Sequence, residues 1–242
     1  MRHALRSLLR TPGFTFVALL TLALCLGANT ALFSVVRGVL LRPLPYAEPD
    51  RLVYLWLDNP GTQLADDVTS PPMFLHWRKS GTSLAHAALY QTTTAFNLTG
   101  DGEPERLSGT LAGDHFLETL GVTPLLGRGF SAAEQTPGND QVILLGYHFW
   151  QRRFAGDAAI LGRQITLNGR PRTVIGVMPP SFFFYEKDDL LIPLALPPEA
   201  ATATRAYSFP AIARLKPGVS VSQAQAELSA AQPAYWAQVP AA

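Results

Sequence analysis

The sequence predicts a mixed α+β domain that follows one N-terminal transmembrane helix. An apolar stretch near the N-terminus is long enough to cross a bilayer. Short apolar runs of strand length are spread over the remaining chain, and helix caps lie between them. Strands that alternate with short helices, without a detectable internal repeat, are typical of an α+β fold.

The apolar stretch covers residues 14–36 and reads FTFVALLTLALCLGANTALFSVV. It carries no ionisable carboxylate or amine, and Asn29 is its one strongly polar side chain. At a rise of about 1.5 Å per residue, this helix would be about 35 Å long, which exceeds a hydrocarbon core of about 30 Å. Residues 14–36 are therefore predicted to be a transmembrane helix.

The arginines around this stretch predict its orientation. Arg2, Arg6 and Arg10 recur at intervals of four residues, which is typical of a cationic amphipathic helix on a membrane surface. Basic residues at this flank favour a cytoplasmic N-terminus, although Arg37 and Arg42 beyond the span reduce the asymmetry.

Two alternatives to a membrane span remain. A cleaved signal peptide shares the basic flank, but its apolar region is usually about 7–15 residues long, and here the apolar run continues past the small residues that could form a cleavage site. A lipoprotein signal would need a small residue in place of Leu24 before Cys25. The second alternative is a buried helix of a soluble protein, which is rarely apolar on all sides over such a length.

One side of the predicted span is lined by small residues. Ala23, Gly27 and Ala31 recur every four residues, and Thr30 and Ser34 lie beside them. At about 100° per residue, these side chains fall within roughly 100° of one another. Small residues let helices approach closely in a membrane, and hydroxyl groups can bond across the contact. The sequence predicts a helix-packing face here, although small residues are also frequent in membrane helices by chance.

The remaining chain lacks a second apolar stretch of spanning length and is predicted to face water. The predicted organisation is a cytoplasmic amphipathic N-terminus at 1–13, the transmembrane helix at 14–36, a proline-rich connector at 37–50, and a folded domain at 51–242. Strands are expected at 51–57, 85–90, 96–98, 107–111, 142–145, 164–167, 172–177 and 190–196. Helices are expected from Pro72 to Gly81, from the N-cap Asp114 to Gly121, at 147–154, and after the Ser220 and Gln223 capping box.

Two shorter motifs need tertiary structure to interpret. Asn168-Gly169 predicts a hairpin turn. A two-residue turn would place Ile165 opposite Arg172, so a longer loop or a bulge is expected. The run Phe182-Phe183-Phe184-Tyr185 either packs in the core, which is the favoured interpretation, or faces a partner or ligand.

The overall composition argues against polyanion binding and disulfides. Lysine and arginine together number 19 against 18 acids, so the net charge of +1 creates no general attraction for nucleic acid. Nucleic acid is therefore not an expected partner. Because Cys25 is the single cysteine, the chain forms no internal disulfide.

Local motifs for catalysis, cofactors and metals are also missing from the sequence. Residues 127–132 match the amino-acid pattern of a dinucleotide-binding fingerprint. Pro137-Gly138 would, however, end the following helix, whose N-terminus would have to bind the pyrophosphate. Asp101, Glu103 and Glu105 lack the glycine and the glutamate of a calcium loop, and the histidines lack metal-ligand spacing. No catalytic, cofactor-binding or metal-binding residue is assigned, although a dispersed triad would leave no local signature.

Several short segments occur in the order found in one family. They are Gly27-Ala28-Asn29-Thr30-Ala31, Leu41-Arg42-Pro43-Leu44-Pro45-Tyr46, Pro49-Asp50-Arg51-Leu52, Gly127-Arg128-Gly129-Phe130, Leu167-Asn168-Gly169, Val174-Ile175-Gly176-Val177-Met178-Pro179 and Lys216-Pro217-Gly218-Val219. By this ordered set, which spans nearly the whole sequence, the chain resembles the first half of an ABC transporter permease of the FtsX/MacB type. It is similar in particular to the duplicated orphan permeases of acidobacteria.

The resemblance implies a MacB-like periplasmic core domain, with a porter-like αβ part and a smaller insertion, after the first membrane helix. It also implies a bacterial inner membrane, a cytoplasmic N-terminus and a periplasmic main domain. The implied partners are the lipid bilayer, a separate ABC ATPase subunit, further permease helices and a second permease copy in a dimer. Relatives of this kind continue into further membrane helices, so a fragment or a shortened gene is expected here.

Two functions are consistent with these features. In the first, the chain is a non-catalytic permease portion that couples a separate ATPase to substrate export or mechanical transmission in the periplasm. In the second, it is a membrane-anchored periplasmic module that binds or interacts alone.

Overall fold

A computed structural model describes residues 12–39, 44–57, 68–100, 102–184, 188–203 and 209–237. The chain divides into two compact units, Met1–Leu44 and Pro45–Ala242. Several predicted features lie outside the described residues: residues 1–11 of the amphipathic segment, residues 40–43 of the connector with Arg42, Asp101 and Tyr185.

The described part of the first unit is one helix, α1 (Pro12–Val39). Its 28 residues correspond to about 42 Å. The helix begins before the predicted span because proline is well suited to a first helical turn, and it also includes residues 37–39, which were assigned to the connector. Over Pro12–Ser34 the mean hydropathy is 2.1 and no part of the window is buried. By length and composition, α1 is a candidate membrane span.

In the described part of the second unit, nine strands form one sheet. They are β1 (Leu52–Leu55), β2 (Leu84–Thr99), β3 (Glu105–Ala112), β4 (Leu126–Gly127), β5 (Val142–Leu145), β6 (Gln164–Leu167), β7 (Arg170–Val177), β8 (Leu190–Pro193) and β9 (Ala211–Leu215). The helices of this unit are α2 (Pro71–Ser80), α3 (Phe116–Leu120), α4 (Tyr147–Phe154) and α5 (Val221–Trp236). Single 3₁₀ turns occur at Pro49–Arg51, Ala132–Gln135, Ala158–Ile160 and Pro198–Thr202.

Strand β2 takes part in two different arrangements. Its first half pairs antiparallel with β9, which also pairs with β1. Its second half, from Tyr90, pairs with β3, and the register shifts between Gln91 and Thr94. A bulge bends a strand and increases its twist, so β2 passes from one part of the sheet into the other. The predicted strand pieces at 85–90 and 96–98 are therefore both confirmed as strand, and they belong to one continuous strand.

The open layer consists of β1, β9 and the first half of β2, packed against α2 and α5. Trp77 and Met73 of α2 and Leu228 of α5 belong to one buried cluster with residues of all three strands. Alanines at positions 87 and 213 on the strands leave room for the larger helical side chains. This part of the molecule is a helix-on-sheet sandwich.

The closed ring consists of the second half of β2 followed by β3, β8, β5, β7 and β6. Strand β6 pairs with β7 on one side and returns to β2 on the other, through Leu98 and Leu167. The β3–β8 and β5–β7 pairs are parallel, whereas the other pairs of the ring are antiparallel. Apolar residues of all six strands form a second cluster with Phe149 and Trp150 of α4.

A third cluster lies beneath α3. The rings of Tyr90, Phe116 and Phe184 meet edge to face or tilted, with centroids 4.8–6.1 Å apart. Phe184 is buried there, whereas Phe183 is exposed. The core interpretation of the phenylalanine run therefore holds for Phe184 and not for its neighbour.

The predicted mixed α+β fold class is confirmed, as are several individual elements. Strand β5, helix α4 and strand β6 occupy the predicted residues. Helix α2 is capped by the Ser70 side chain, which accepts from the Met73 amide, and ends before Gly81. Helix α5 begins with the predicted capping box of Ser220 and Gln223. These elements carry their signals within a few residues of sequence, which explains the agreement.

Two local predictions were wrong. Asp114 does not cap α3, because His115 takes the N-cap position with a φ of 61° and the Asp114 carboxylate pairs with Arg78 instead. The Asn168-Gly169 turn is the tight two-residue turn, with Ile165 opposite Arg172.

The Arg172 guanidinium reaches Asp140, donating to its backbone oxygen at 2.5 Å and lying 3.5 Å from its carboxylate. A long aliphatic stem can lie beside a buried residue while its charged end finds a polar partner. An arginine opposite Ile165 is therefore compatible with the tight turn.

Candidate functional site

The predicted helix-packing residues lie on α1 and are all exposed: Ala23, Gly27, Thr30, Ala31 and Ser34. A Cβ atom added at Gly27 would meet no heavy atom within 4 Å. The Thr30 hydroxyl donates to the backbone oxygen of Leu26 at 2.7 Å, so its polar hydrogen is satisfied within the helix. The packing role of this face stays a prediction.

The segment that opens the second unit is fixed by a tyrosine. The Tyr46 hydroxyl donates to the backbone oxygen of Phe183, far away in sequence. Burial raises the pKa of Tyr46 well above its usual value, and the nearby Tyr54 and Asp188 add to this effect. The phenol therefore remains protonated and can donate at any physiological pH.

Two arginines attach the same segment to β9. Arg214 is only 7% exposed, and its guanidinium donates to the backbone oxygen of Thr119 at 2.8 Å and of Glu48 at 3.4 Å. Arg51 donates from Nε to the backbone oxygen of Leu215 at 2.9 Å. Hydrogen bonds from a charged donor are stronger than neutral ones. The first residues of the second unit are thus tied to the central strand of the open layer.

Potential catalytic or metal-binding groups are sparse among the described residues. No group of three or more His, Cys, Asp or Glu side chains there could hold a metal ion. His86 and His115 lie with ring centroids 5.6 Å apart, and Asp114 is 3.4 Å from His115 and 3.2 Å from Arg78. Sequence spacing missed this pair of histidines because β2 and the start of α3 bring them together.

The glycine-rich segment at 127–132 has a structural role. Gly127 has a φ of +72°, and a Cβ there would come within 2.1 Å of the Ile175 backbone oxygen. Only glycine fits such a close approach. Arg128 then pairs with Glu134 at 2.7 Å and, through this bond, lowers the pKa of Glu134 to about 2. Ser131 and Glu134 form a capping box on the following 3₁₀ turn. These contacts fix the backbone conformation of the segment.

A cavity of about 430 Å³ lies between the β2–β3 connection and the C-terminal end of α4. Its lining includes Arg153, Phe154, Asp157 and Arg163. The Asp157 carboxylate accepts from the Ala159 amide at 2.9 Å, and the Arg163 guanidinium lies 5.6 Å from the centre of the Phe154 ring. These contacts shape the wall of the cavity and supply no acid–base pair.

The helix and both parts of the sheet fall within one sequence family. The family of MacB-like periplasmic core domains matches residues 15–231, from within α1 to within α5. The chain belongs to this family. The predicted resemblance to permeases of the MacB type is therefore confirmed, and the second unit is a MacB-like periplasmic core domain of the permease family. No curated protein matches the chain in sequence.

Solved structures share this fold. A domain of a protein described as a permease, from Porphyromonas gingivalis, aligns with a TM-score of 0.59 and 19% identity, covering 78% of this chain and 83% of that one. The periplasmic region of MacB from Actinobacillus actinomycetemcomitans aligns with a TM-score of 0.58 and 13% identity, covering 82% and 89%. At such identities the likeness concerns the fold.

Proposed function

We propose that this chain is the membrane-anchored N-terminal portion of an ABC transporter permease. Its role is to couple a separate ATPase subunit to substrate export or mechanical transmission in the periplasm. The observation that supports this most is the span of the family match, which includes both the apolar helix and the periplasmic domain. Helix and domain therefore belong together as one part of a permease.

The role is one of transmission rather than chemistry. A movement of α1 would be transmitted along the chain to the segment that contains Tyr46, which is bonded to Phe183. Hydrogen bonds of Arg51 to Leu215 and of Arg214 to Glu48 attach this segment to β9. Since β9 pairs with both β1 and β2, a displacement there acts on the whole open layer. The described residues offer no metal cluster that would favour a catalytic role instead.

A membrane-anchored periplasmic module that acts alone is the second candidate. The exposed aromatic side chains of the second unit favour it, because such surfaces commonly mark interaction sites. The two candidates differ in whether an ATPase is bound.

Topology and partnership are tested together in the intact chain. Alkaline phosphatase fused after Leu57 should be active, because the arginine-rich N-terminus is retained in the cytoplasm. A tagged full chain, solubilised from its native membrane, should then co-purify with a protein that carries a P-loop and hydrolyses ATP. A matched variant without residues 1–44 should not.

Each outcome of this test has a definite meaning. An inactive fusion, retained in the cytoplasm, would contradict the topology and with it both candidates. A periplasmic fusion with no ATPase in the purified material would reject the coupling function and favour the module that acts alone.

We also propose that the small-residue face of α1 packs against another permease helix. Gly27→Leu should then prevent assembly of the permease but leave membrane insertion intact, because leucine inserts more favourably than glycine. Leu20→Ile, on an exposed part of the same helix, is the matched control. Crosslinking between permease helices measures assembly, and unchanged crosslinking in Gly27→Leu would show that lipid covers this face.

A further inference from the structure

The cavity between the β2–β3 connection and the C-terminal end of α4 has the size of a small-molecule site. Its volume is about 430 Å³, and ligand pockets in proteins measure roughly 300–1,000 Å³. Its described lining residues lie between Gly102 and Arg163, within the second unit. The walls of the cavity are therefore formed inside one compact unit.

Hydrogen bonds fix the backbone that forms one wall of the cavity. The chain leaves α4 through Ala155 and Gly156, which both have a positive φ, of 51° and 72°. The Trp150 indole then donates to the Asp157 backbone oxygen at 2.9 Å, and the Asp157 carboxylate accepts from the Ala159 amide. An alanine in the left-handed region is uncommon and persists only where its surroundings hold it there. This wall is therefore formed before any ligand binds.

Two guanidinium groups line the cavity. Arg153 lies in the last turn of α4, and its Nη2 atom donates to the Glu103 backbone oxygen at 3.4 Å. A Cβ atom at Gly102 would come within 2.8 Å of the same Nη2 atom, so the glycine leaves room for this guanidinium. Arg163 directly precedes β6, and its guanidinium carbon lies 5.6 Å from the centre of the Phe154 ring. A cation–π contact of this kind holds the Arg163 guanidinium at the cavity wall.

The described walls carry an excess of positive charge. Arg153 and Arg163 each contribute a positive charge, whereas Asp157 contributes one negative charge and already accepts from a backbone amide. Both arginines also take part in other interactions. A guanidinium has several N–H donors, however, so it can bind a second partner. Its planar fork of donors matches the oxygens of a carboxylate or a phosphate.

The rest of the described lining is largely apolar and includes Phe154, Ala159 and the buried Ile160. We infer that this cavity binds a small organic anion. Its carboxylate or phosphate group accepts from the two arginines, and its apolar body lies against the Phe154 ring. The inference involves neither an ATPase nor the position of α1, so it and the proposed function can fail separately.

Fluorine NMR of small ligands mixed with the full chain in detergent tests this site. The probes are para-fluorophenyl phosphate, para-fluorobenzoate and the neutral para-fluorobenzyl alcohol, and detergent alone gives the background. At least one anion should show line broadening that the alcohol lacks, and the more strongly broadened anion identifies the preferred acidic group. Equal broadening of all three probes, or none for either anion, would overturn the inference.

Three variants assign the binding to the cavity. Arg153→Gln and Arg163→Gln should each weaken anion binding by at least about tenfold, because each removes a charged donor. Ala159→Phe should abolish binding without a change in charge, since the new side chain would fill the cavity. Ala159 is exposed, so the ring should keep its fold in this variant.

The matched control is Arg170→Gln, which removes an exposed arginine that does not line the cavity. This variant should bind the anions as the wild type does. Undiminished binding in Ala159→Phe, or an equal loss in Arg170→Gln and the two cavity arginine variants, would overturn the inference. In either case the anions would be bound elsewhere on the protein.

Discussion

The open layer and the closed ring share β2, yet they are stabilised in different ways. In the ring, each of the six strands is paired on both sides, and Phe149 and Trp150 of α4 pack against its core residues. In the open layer, β1 ends the strand order and one face depends on α2 and α5 for cover. The ring is therefore closed by its own backbone, whereas the layer requires helices from distant parts of the chain.

The largest expected effects come from removing the central aromatic side chain of each part. Phe149→Ala in the ring and Trp77→Ala in the layer should each lower the free energy of unfolding by about 3–5 kcal/mol. Both side chains are almost fully buried. Hydrogen exchange of the full chain in detergent should show the greater loss of protection in the part that carries the substitution.

The exposed Phe183→Ala is the control for these truncations and should change stability by less than about 0.5 kcal/mol. Equal loss of protection across both parts in either core variant would show that β2 couples them into one cooperative unit. The open layer and the closed ring would then not be stabilised separately.

A smaller effect is expected at the Arg172–Asp140 contact of the ring. Arg172→Met keeps most of the aliphatic stem but removes the bonds to Asp140, so a loss of about 1–2 kcal/mol is expected. Chemical denaturation of the full chain measures it. Arg170→Met, on the exposed end of the same strand, should be nearly neutral. An equal loss of stability in both variants would show that replacing an arginine in β7 by methionine, rather than losing the hydrogen bonds to Asp140, causes the effect.

The smallest effects concern two carboxylates: Glu134 follows β4, which pairs with β7 of the ring, and Glu227 lies on α5 of the open layer. Arg128 holds the pKa of Glu134 at about 2, and hydrogen bonds from Ser83 and Thr82 lower that of Glu227 in α5. A lowered pKa in the folded state stabilises the protein above the unfolded pKa and loses this effect as the pH falls through the folded value. Glu134→Gln and Glu227→Gln should each cost about 1 kcal/mol at neutral pH, after allowance for solvent screening.

Stability measured against pH checks both carboxylates. For Glu134, the difference between wild type and variant should begin to shrink near 4.5, the ordinary value, and vanish near 2. A stability difference that does not change over this pH range would mean that the packing of the side chain, not the charge of its carboxylate, causes the loss. For Glu227, the loss should likewise begin as the pH falls through the ordinary carboxyl value.

Sequence reasoning succeeded where the signal is local. The apolar run of β5, the Ser220 capping box and the glycine after α2 each lie within a few residues of the element they define. It failed where a distant partner decides. The polar residues of β2 between Gln91 and Thr94 look like a break in the sequence, but the pairing with β3 continues through a bulge.

The candidate site shows the same division. The apolar character of α1 could be read directly from residues 14–36, and the family resemblance from ordered short segments. The hydrogen bonds of Tyr46 to Phe183 and of Arg214 to Glu48 could not be predicted from the sequence, because each bond joins residues more than a hundred positions apart. The exposed state of Trp56 likewise depends on which side of β1 receives the helices.

The pairing of β1 with β9 has a consequence for the order of synthesis. Strand β1 is made soon after the apolar helix, but its partner follows almost at the end of the domain. At translation rates of about 5–20 residues per second, β1 waits on the order of 10 s before β9 exists. During that time it is an unpaired strand with aromatic side chains, which other chains could recruit. Early folding of this protein should therefore depend on a chaperone that holds residues 52–57 until the last strand arrives.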